Sequence, residues 1–578
     1  MQDGKQQLEE ELRRCDAEIR RSPDAAFSWN KKARVLRALR RFDEALESCG
    51  RAIALAPENA TFHVSRGNVL MELGRFDQAF MSYERATTIQ PDLVEAHFNF
   101  GNAAAQSGRT EQSLKAYDRT IALRPGFAEA YHYKANALDK FERTHEALEN
   151  YDRALVLKPD FAEAHNNRAK VLHRLGRIAD SVESYKRAVA CRPGYVLAWS
   201  NLAGVLKDSG RLEEALESCD RALSLAPDFA AAHYARGNIL KGLKRLPEAI
   251  REFDRATNLQ PGFEKAHWNK AVSTLLIGDF ERGWRLYDRR AVAAAFPPVC
   301  GSLWTGSENL EGKKLLVQAE QGFGDTIQFC RFALVAAELG AKVLLAVQDP
   351  LVGLLKCLEP AIQVIPFGET LPATDYHIRL LSTPFVLRTC LDTIPSKVPY
   401  LTADPSRVAH WKQRIGTEGF RIGISWQGAT GGEVDIGRSF PLRYFEGLSH
   451  IPGVRLFSLQ KNAGSEQLHN LPHGMNVETF GGELDRGQDA FVDTAAAMES
   501  LDLVITPDTA IAHLGGALGR PVWVALSYVP DWRWMLDRDD SPWYPTMKLF
   551  RQMERNGWPA VFETMKAELQ TSLLGNRP

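Results

Sequence analysis

The stretch PENATFHVSRGNVLMELGRFDQAFMSYERATTIQP (residues 57–91) decides how the N-terminal half of this chain folds. It begins and ends on a proline, and prolines recur at the same interval of 34 residues: Pro23, Pro57, Pro91, Pro125, Pro159, Pro193, Pro227 and Pro261. Proline ends a helix because its ring and missing N–H break the hydrogen-bond ladder. A fixed period of this length predicts a stack of repeated structural units.

Small side chains keep the same period and predict two close-packed antiparallel helices in each unit. One column is Ala33, Gly67, Gly101, Ala135, Ala169, Ala203, Gly237 and Ala271, and a second is Ala45, Ala79, Ser113, Ala147, Ser181, Ala215, Ala249 and Gly283. The pattern resembles tetratricopeptide repeats, which are binding surfaces. We expect a cap helix at 1–25 and about eight repeats over 26–297, forming an α-helical superhelix.

A column of ring side chains also follows the period. Its members are Trp29, His63, His97, Tyr131, His165, Trp199, His233 and His267. Because they recur with the repeats, we predict that they pack between the helices and do not form a metal or catalytic site.

Asparagines recur on one face of the repeat helices. They are Asn99, Asn167, Asn201 and Asn269 at one position and Asn68, Asn102, Asn136 and Asn238 three residues later. Positions three apart share a helix face, so stacked repeats would carry a polar ladder. An Asn side chain donates and accepts, so the ladder could clamp the backbone of an extended peptide. The alternative is a polar face that stacks the repeats through local hydrogen bonds.

The composition argues against several classes of function. The 578 residues include 71 Lys plus Arg and 72 Asp plus Glu, and a formal net charge of -1 gives no reason to expect nucleic acid or an anionic membrane as partner. The first residues are charged, unlike a signal peptide, and apolar runs stay short of the ~20 residues of a membrane span. The eight cysteines lack metal-ligand spacing. We expect a soluble cytoplasmic protein with reduced thiols.

The C-terminal half alternates short apolar runs with amphipathic stretches. Strands are predicted at 314–320, 342–348, 362–367, 421–426, 454–460, 502–506 and 521–527. Helical patterns between most of them predict parallel sheets. A break near 401–418 indicates two α/β lobes, placed at 298–402 and 419–578 with a connector at 403–418. Such lobes bind ligands at the carboxyl ends of their strands.

A glycine turn follows the first strand of this half. Gln321, Gly322 and Gly324 lead into Asp325, but Ile327 stands where a dinucleotide fingerprint has its third glycine, so a nicotinamide enzyme is not expected. The turn would present the Asp325 carboxylate to a cleft. The alternative role of Asp325 is to cap the following helix.

A second group lies where the strand at 502–506 meets the next helix. Backbone N–H groups around Thr509 and Ala510 would be free to bind an anion. His513 lies four residues after Thr509, on the same face, and could reach a phosphate oxygen. The alternative is a histidine buried in the core.

Further polar residues follow other strands and are predicted to line the cleft. Gln427 follows the strand at 421–426, and Arg438 and Ser439 come after a glycine-rich stretch that includes Gly431 and Gly432. Lys461 follows the strand at 454–460, and Asp531 and Arg533 follow the strand at 521–527. Arg438 and Lys461 could supply positive charge to a diphosphate, or be solvated surface groups. Asp531 and Arg533 could contact a donor or pack the lobes together.

Five motifs of the C-terminal half point to a family. They are EQGFGDTIQFCRF (320–332), RSFPL (438–442), SLQKN (458–462), TPDTAIAHLGGALGRPVWVAL (506–526) and PDWRWMLDRDDSPWYPTMKLFRQ (530–552). Together they resemble heptosyltransferases of the ADP-heptose–lipopolysaccharide type, and more closely a bacterial class in which such a domain follows tetratricopeptide repeats. The resemblance implies two Rossmann-like lobes of the GT-B fold and inverting transfer from a nucleotide sugar. It also implies that the reaction needs no cofactor and no metal. It implies that Asp325 is the general base and that Asp508, Thr509 and His513 hold the donor's phosphate and sugar end.

The order of the two halves bears on the acceptor. Repeats followed by a GT-B domain are also the layout of the protein O-linked N-acetylglucosamine transferases, an architectural analogy. The analogy favours a protein acceptor, modified on Ser or Thr and recruited by the repeats. Two alternatives stay open: glycosylation of a lipid or polysaccharide precursor, and an adaptor whose transferase domain is inactive.

Overall fold

The computed structural model describes residues 2–290, 301–428, 437–487 and 489–575 of the chain. It divides into two compact units, Met1–Ala235 and Arg236–Pro578. The division falls inside a repeat helix, Ala230–Gly242, so the last two repeats share a unit with the C-terminal sheets.

Antiparallel helix pairs follow a first helix, α1. The helices are α1 (Gln2–Arg21), α2 (Ala26–Ala38), α3 (Phe42–Leu55), α4 (Ala60–Glu72), α5 (Phe76–Ile89), α6 (Val94–Gln106), α7 (Thr110–Leu123), α8 (Ala128–Lys140), α9 (Thr144–Leu157), α10 (Ala162–Arg174), α11 (Ile178–Cys191), α12 (Val196–Asp208), α13 (Leu212–Leu225), α14 (Ala230–Gly242), α15 (Leu246–Leu259), α16 (Glu264–Leu276) and α17 (Phe280–Tyr287). In each pair from α2 to α15 the second helix ends two residues before the periodic proline, as α3 does before Pro57.

A residue in the left-handed conformation follows the first helix of each pair. The residues with positive φ are Arg40, Gly74, Gly108, Glu142, Gly176, Gly210, Lys244 and Gly278. Glycine is frequent here because it has no Cβ to oppose a positive φ. The turn reverses the chain and places the second helix against the first.

The ring column ties each first helix to the proline turn before it. A ring nitrogen hydrogen-bonds to the carbonyl oxygen of the proline six residues earlier, at 2.8–3.0 Å, in Trp29, His63, His97, His165, Trp199, His233 and His267. The predicted structural role of these seven residues is therefore confirmed, with a specific hydrogen bond in place of packing alone.

Two five-stranded sheets fill most of the second unit. The first has the order β1-β5-β2-β3-β4, with β1 (Ser302–Leu303), β2 (Lys314–Gln318), β3 (Lys342–Val347), β4 (Ile362–Pro366) and β5 (Tyr376–Arg379). The second has the order β10-β9-β8-β6-β7, with β6 (Phe420–Ile424), β7 (Val454–Ser458), β8 (Leu503–Pro507), β9 (Val522–Leu526) and β10 (Met547–Arg551). Every strand pair is parallel, which confirms the predicted parallel α/β class.

Helices accompany both sheets. They are α18 (Phe323–Phe329), α19 (Arg331–Glu338), α20 (Val352–Leu355), α21 (Thr383–Val386), α22 (Pro405–Ile415), α23 (Glu446–Ser449), α24 (Val492–Met498), α25 (Ala510–Ala517) and α26 (Trp558–Gly575). The stretch predicted as a connector contains α22. Among the described residues, no helix combines the length and apolar character needed to cross a bilayer.

Each sheet has a point where the strand order reverses. In the first sheet it lies between β2 and β5, and in the second between β6 and β8. Crevices open at the carboxyl ends of such strands. The glycine turn at 321–325 follows β2, and the loop at 508–509 follows β8, so both predicted groups lie at these ends.

The last repeats share a hydrophobic core with the sheets. The Trp284 ring meets the Trp532 ring edge-on with centroids 5.1 Å apart, and Trp284 Nε1 donates to the Thr389 carbonyl at 3.0 Å. At the end of α14, Arg555 donates to the Gly242 carbonyl at 3.2 Å. Helices α15–α17 and the end of α14 therefore belong structurally to the C-terminal half.

Candidate functional site

Asp325 lies in the first turn of α18, where the glycine turn after β2 becomes a helix. Its Oδ2 accepts the Gly322 N–H at 3.0 Å, so the capping role considered from the sequence is present. Gln348 Nε2 donates to the Gln321 carbonyl at 2.6 Å and fixes the start of the turn. Asp325 Oδ1 is left to face the second lobe, where it forms an ion pair with Arg533.

Arg533 brings together groups from both lobes. It follows β9, in a short 3₁₀ helix, and is 8% exposed. Its Nη2 pairs with Asp325, its Nη1 donates to Asp531 Oδ1 at 2.8 Å, and its Nε donates to Gln328 Oε1 at 2.6 Å. The guanidinium also lies 4.4 Å from the Trp532 ring centroid. Three of the predicted cleft residues thus form one cluster.

The cluster contains carboxyl groups with perturbed acidity. Burial raises the pKa of Asp325, the Arg533 charge opposes that rise, and Asp531 adds to it. Burial and the charge of Asp531 raise the pKa of Asp508 to about 6, against the opposing charges of Arg533 and Arg438. Burial opposes the charge on Arg533, but Asp531 and Asp325 outweigh it and raise the arginine's pKa. Carboxyl groups shifted toward neutral pH in a cleft are typical of proton-transfer sites.

The N-terminal end of α25 lies against the glycine turn. The Thr509 hydroxyl hydrogen-bonds to Thr506 Oγ1 at 3.0 Å instead of capping the helix, so no side chain in the described part of the chain caps this first turn. A Cβ added at Gly324 would lie 3.4 Å from Ala510 Cα and 3.1 Å from His513 Cδ2. Glycine at 324 therefore allows the turn that carries Asp325 to approach the helix end predicted to bind phosphate.

His513 is buried beside this contact. Its Nδ1 hydrogen-bonds to the Tyr544 hydroxyl at 3.1 Å, and its ring stacks on Trp534 with centroids 5.5 Å apart. Burial, together with the charge of Arg533, holds the pKa of His513 well below its usual value. The imidazole is neutral at physiological pH, and within the described ranges its Nε2 makes no hydrogen bond.

The remaining predicted cleft residues follow β6 and β7. The Gln427 backbone is held by Gln460, which accepts from its N–H at 3.1 Å and donates to its carbonyl at 2.9 Å. Ser439 Oγ accepts the Gly428 N–H at 3.0 Å, and a Cβ added at Gly428 would lie 2.5 Å from an Arg438 guanidinium nitrogen. Gly431 and Gly432 lie outside the described residues.

Lys461 has a local partner. Its ammonium group donates to the Asp485 carbonyl oxygen at 2.6 Å, across the loop that follows β7. Among the residues that the structure describes, this bond engages one of the three N–H donors of Lys461.

Residues of the last repeats complete the site, and the sequence interpretation missed them. Arg290 forms a buried ion pair with Glu320, the residue before the glycine turn. The Tyr287 hydroxyl donates to Gln321 Oε1 at 3.4 Å. Burial lowers the pKa of Lys241, and the nearby charge of Asp531 opposes that effect. The repeat period ends at Arg290, and this was the available sequence signal for these residues. It indicated a domain boundary but not that the last repeat contacts the glycine turn.

The asparagine columns make hydrogen bonds between neighbouring repeats. Asn99 donates to Asn68 at 3.2 Å, Asn167 to Asn136 at 3.0 Å, Asn201 to Asn166 at 3.0 Å, and Asn269 to Asn238 at 2.7 Å. Tyrosine hydroxyls donate to the same column: Tyr83 to Asn68, Tyr117 to Asn102 and Tyr151 to Asn136, at 2.6–2.7 Å. The repeat-stacking role is therefore present.

Part of the ladder keeps its hydrogen-bonding capacity. Within the part of the chain that the structure describes, the Nδ2 groups of Asn68 and Asn102 and the Oδ1 of Asn99 have no hydrogen-bond partner. These three side chains line a cavity of about 180 Å³ together with Arg37 and Glu72. Both roles weighed from the sequence are compatible with this geometry.

Comparison with known proteins agrees with the repeat geometry. A tetratricopeptide-repeat family model matches residues 30–94 and 134–196, and a TPR-repeat model matches 204–244. The N-terminal half is a tetratricopeptide-repeat array. Such arrays are protein-interaction modules.

One curated protein and several solved structures are similar to parts of the chain. Protein FlbA of Caulobacter vibrioides is 28% identical over 315 residues, which is 50% of this chain and 52% of that protein, so the chain spans about half the length of the curated relative it matches. The structure of the APC/C hetero-tetramer Cut9-Hcn1 matches 45% of this chain and 52% of its own, at 14% identity and a TM-score of 0.36. YrrB, described as a TPR protein with an unusual peptide-binding site, matches 33% of this chain and 98% of its own, at 20% identity and a TM-score of 0.29.

Proposed function

We propose that the chain is a glycosyltransferase that moves a sugar from a nucleotide sugar to a protein acceptor recruited by its repeats. The observation that carries the proposal is the contact between the glycine turn and α25. Gly324 lies against Ala510 and His513, which brings the turn that carries Asp325 beside a helix end that no side chain among the described residues caps. A base next to an anion-binding helix end is the arrangement that sugar transfer from a diphosphate requires.

The proposed fold is GT-B, with one Rossmann-like lobe on each side of the cleft. The second sheet supports this because its order, β7-β6-β8-β9-β10, is the doubly wound order with a ligand crevice at the β6/β8 switch point. The donor would lie at that crevice, and the acceptor would approach from the lobe that carries Asp325.

The proposed reaction is a single displacement with inversion. Asp325 takes the proton of the acceptor hydroxyl while the hydroxyl oxygen forms a bond to the anomeric carbon of the donor sugar. At the same time the bond from that carbon to the diphosphate oxygen breaks. The N–H groups of the first turn of α25, with the Arg438 charge, stabilise the departing diphosphate. Neutral His513 would offer Nε2 as a hydrogen-bonding group to the donor, which fits its lowered pKa.

The test uses the full chain and a panel of ADP-, UDP-, GDP- and CMP-sugars. Asp325→Asn should lower release of nucleotide product by at least ~100-fold, while calorimetric binding of the free nucleotide stays within a few-fold of wild type. Asp540→Asn is the matched control, because Asp540 is 66% exposed and pairs with Arg538, whereas Asp325 pairs with Arg533.

Two results would contradict the proposal. Equal loss of nucleotide binding and turnover in Asp325→Asn would remove the general-base assignment. Failure of the wild-type chain to bind or turn over every member of the panel would favour the adaptor.

A role of the repeats in acceptor binding is favoured by the open atoms of the ladder. Asn68 and Asn102 can still donate, and Asn99 can still accept, which suits the backbone carbonyl and N–H groups of an extended peptide. We expect Asn68→Ala with Asn102→Ala to reduce modification of a protein acceptor while leaving donor hydrolysis unchanged. A lipid acceptor would be modified equally by both forms.

A deletion that removes acceptor recruitment must spare the last repeats. Removing residues 2–290 would also remove Arg290, Tyr287 and Trp284, which contact the turn and loops of the cleft. Removing residues 2–229 keeps α14–α17 whole. Donor hydrolysis without protein modification in the shorter form is the expected result.

A further inference from the structure

We propose that Arg533 is a positioning residue of the transfer reaction, which holds the Asp325 carboxylate toward the cleft by sharing its guanidinium between Asp325, Asp531 and Gln328. The inference rests on the proposed function and assigns a role to a residue that sequence reasoning left between donor contact and lobe packing.

The geometry fixes the guanidinium from every side. Each of its three nitrogens has a carboxylate or amide partner: Nη2 has Asp325, Nη1 has Asp531 at 2.8 Å, and Nε has Gln328 at 2.6 Å. The aromatic rings of Trp532 and Phe329 lie 4.4 and 5.6 Å from it. A planar guanidinium whose three nitrogens are all hydrogen-bonded is held in one orientation, unlike a solvated arginine on the surface.

The arrangement places Arg533 behind the base rather than at the reacting atoms. Asp325 Oδ1 faces Arg533 and Oδ2 faces the Gly322 N–H, so both oxygens are oriented by donors. The Asp325 side chain is 22% exposed, whereas that of Arg533 is 9% exposed. The carboxylate can therefore meet an acceptor hydroxyl that the guanidinium does not reach.

Charge gives Arg533 a second effect on the base. Burial and Asp531 both favour the protonated form of Asp325, and Arg533 is the largest opposing influence. A protonated carboxyl group cannot accept the hydroxyl proton. Removing the arginine charge should move protonation of Asp325 to higher pH, whereas removing the Asp531 charge should move it to lower pH.

The cluster also joins the two lobes. Asp325 and Gln328 belong to α18 of the first lobe, and Asp531 and Arg533 follow β9 of the second. The base is thus oriented by the opposite lobe, and its geometry depends on the lobes being in contact.

The experiment is the pH dependence of nucleotide release by the full chain, using the member of the nucleotide-sugar panel that the wild type turns over. Arg533→Met should lower the rate plateau by at least ~10-fold and shift the acid limb to higher pH. Asp531→Asn keeps an oxygen to accept the Arg533 N–H and should shift the acid limb to lower pH. Arg533→Lys should restore part of the plateau, because it returns the charge without the fork. Arg538→Met is the control, since Arg538 pairs with exposed Asp540 in the same segment.

The possible outcomes separate this inference from the proposed function. The inference is supported if the acid limb shifts in opposite directions in Arg533→Met and Asp531→Asn. If Arg533→Met does not fold, Asp531→Asn and Arg533→Lys still test the inference. Acid limbs that coincide with wild type in the Arg533 and Asp531 variants overturn it, even where Asp325→Asn is inactive. An acid limb that moves in Asp508→Asn and in no Arg533 variant also overturns it. Full activity of Asp325→Asn, or no turnover by the wild type, overturns both.

Discussion

Arg290, at the end of the last repeat, and Glu320, at the start of the glycine turn, form a buried ion pair. Their side chains are 3% and 1% exposed, and Glu320 Oε1 also accepts the Leu381 N–H at 3.2 Å. Burial raises the pKa of Glu320, and the Arg290 charge opposes that rise. The pair fixes the end of the last repeat to the segment that carries Asp325.

Breaking this pair should destabilise the second unit. Glu320→Gln leaves the Arg290 charge buried without a carboxylate, and we expect the free energy of unfolding in urea to fall by about 3–5 kcal/mol. Glu248→Gln, in the exposed Arg245–Glu248 pair, should cause no measurable change. Equal midpoints for the two variants would contradict the role given to the buried pair.

The boundary of the C-terminal unit is open to a direct test. A chain of residues 230–578 should unfold cooperatively, because it retains helices α14–α17 and their core with Trp532. A chain of residues 291–578 would expose the surfaces that Trp284 and Tyr287 cover, and should aggregate or melt at lower temperature. The melting temperatures of the two chains can be compared by calorimetry. Identical melting temperatures would place the boundary of the C-terminal unit after the repeats instead.

Asp508 should make stability depend on pH. Its pKa is about 6 in the folded protein against a usual value of 3.8, so the folded state binds the extra proton. Its contribution is therefore favourable at low pH and is lost as the pH rises from about 4 to about 6. Asp508→Asn should match wild type near pH 4 and exceed it by up to ~3 kcal/mol above pH 7, measured by urea unfolding. Asp540→Asn should not gain stability, because the pKa of Asp540 is lowered by Arg538.

The tyrosine bonds of the ladder should contribute to the stability of the first unit. Tyr83→Phe removes the hydroxyl that donates to Asn68 at 2.6 Å and should lower the free energy of unfolding by about 1–2 kcal/mol. Tyr185→Phe is the matched control, since the Tyr185 ring is similarly buried and its hydroxyl has no hydrogen bond among the described residues. A smaller effect at Tyr83 than at Tyr185 would contradict the assignment.

The repeats could be predicted from the sequence because the same small, ring and proline positions recur in every unit. Seven strands were predicted in the C-terminal half because β2, β3 and their counterparts are apolar runs bounded by turns. Three strands were missed: β5 (Tyr376–Arg379), which is short and contains polar residues, β1, which has two residues, and β10 (Met547–Arg551), which has a charged residue at its second and last positions.

The contacts of the site could not be predicted in the same way. Asp325 and Arg533 are 208 residues apart, and each stands in a motif that gives no indication of the other. The division inside α14 was hidden because the 34-residue period continues across it unchanged. The local hydrophobic pattern predicts which side chains a helix buries. The residues against which they pack depend on the tertiary structure.

The hydrogen bonds of the ring column determine where the protons of five histidines lie. A carbonyl oxygen can only accept, and Trp29 and Trp199 can only donate, so each equivalent histidine must carry its hydrogen on Nε2. The Nε2 atoms are therefore closed to transition metals, because a ring nitrogen that carries hydrogen has no lone pair to donate. In this respect an array rich in histidine behaves as one built from tryptophan.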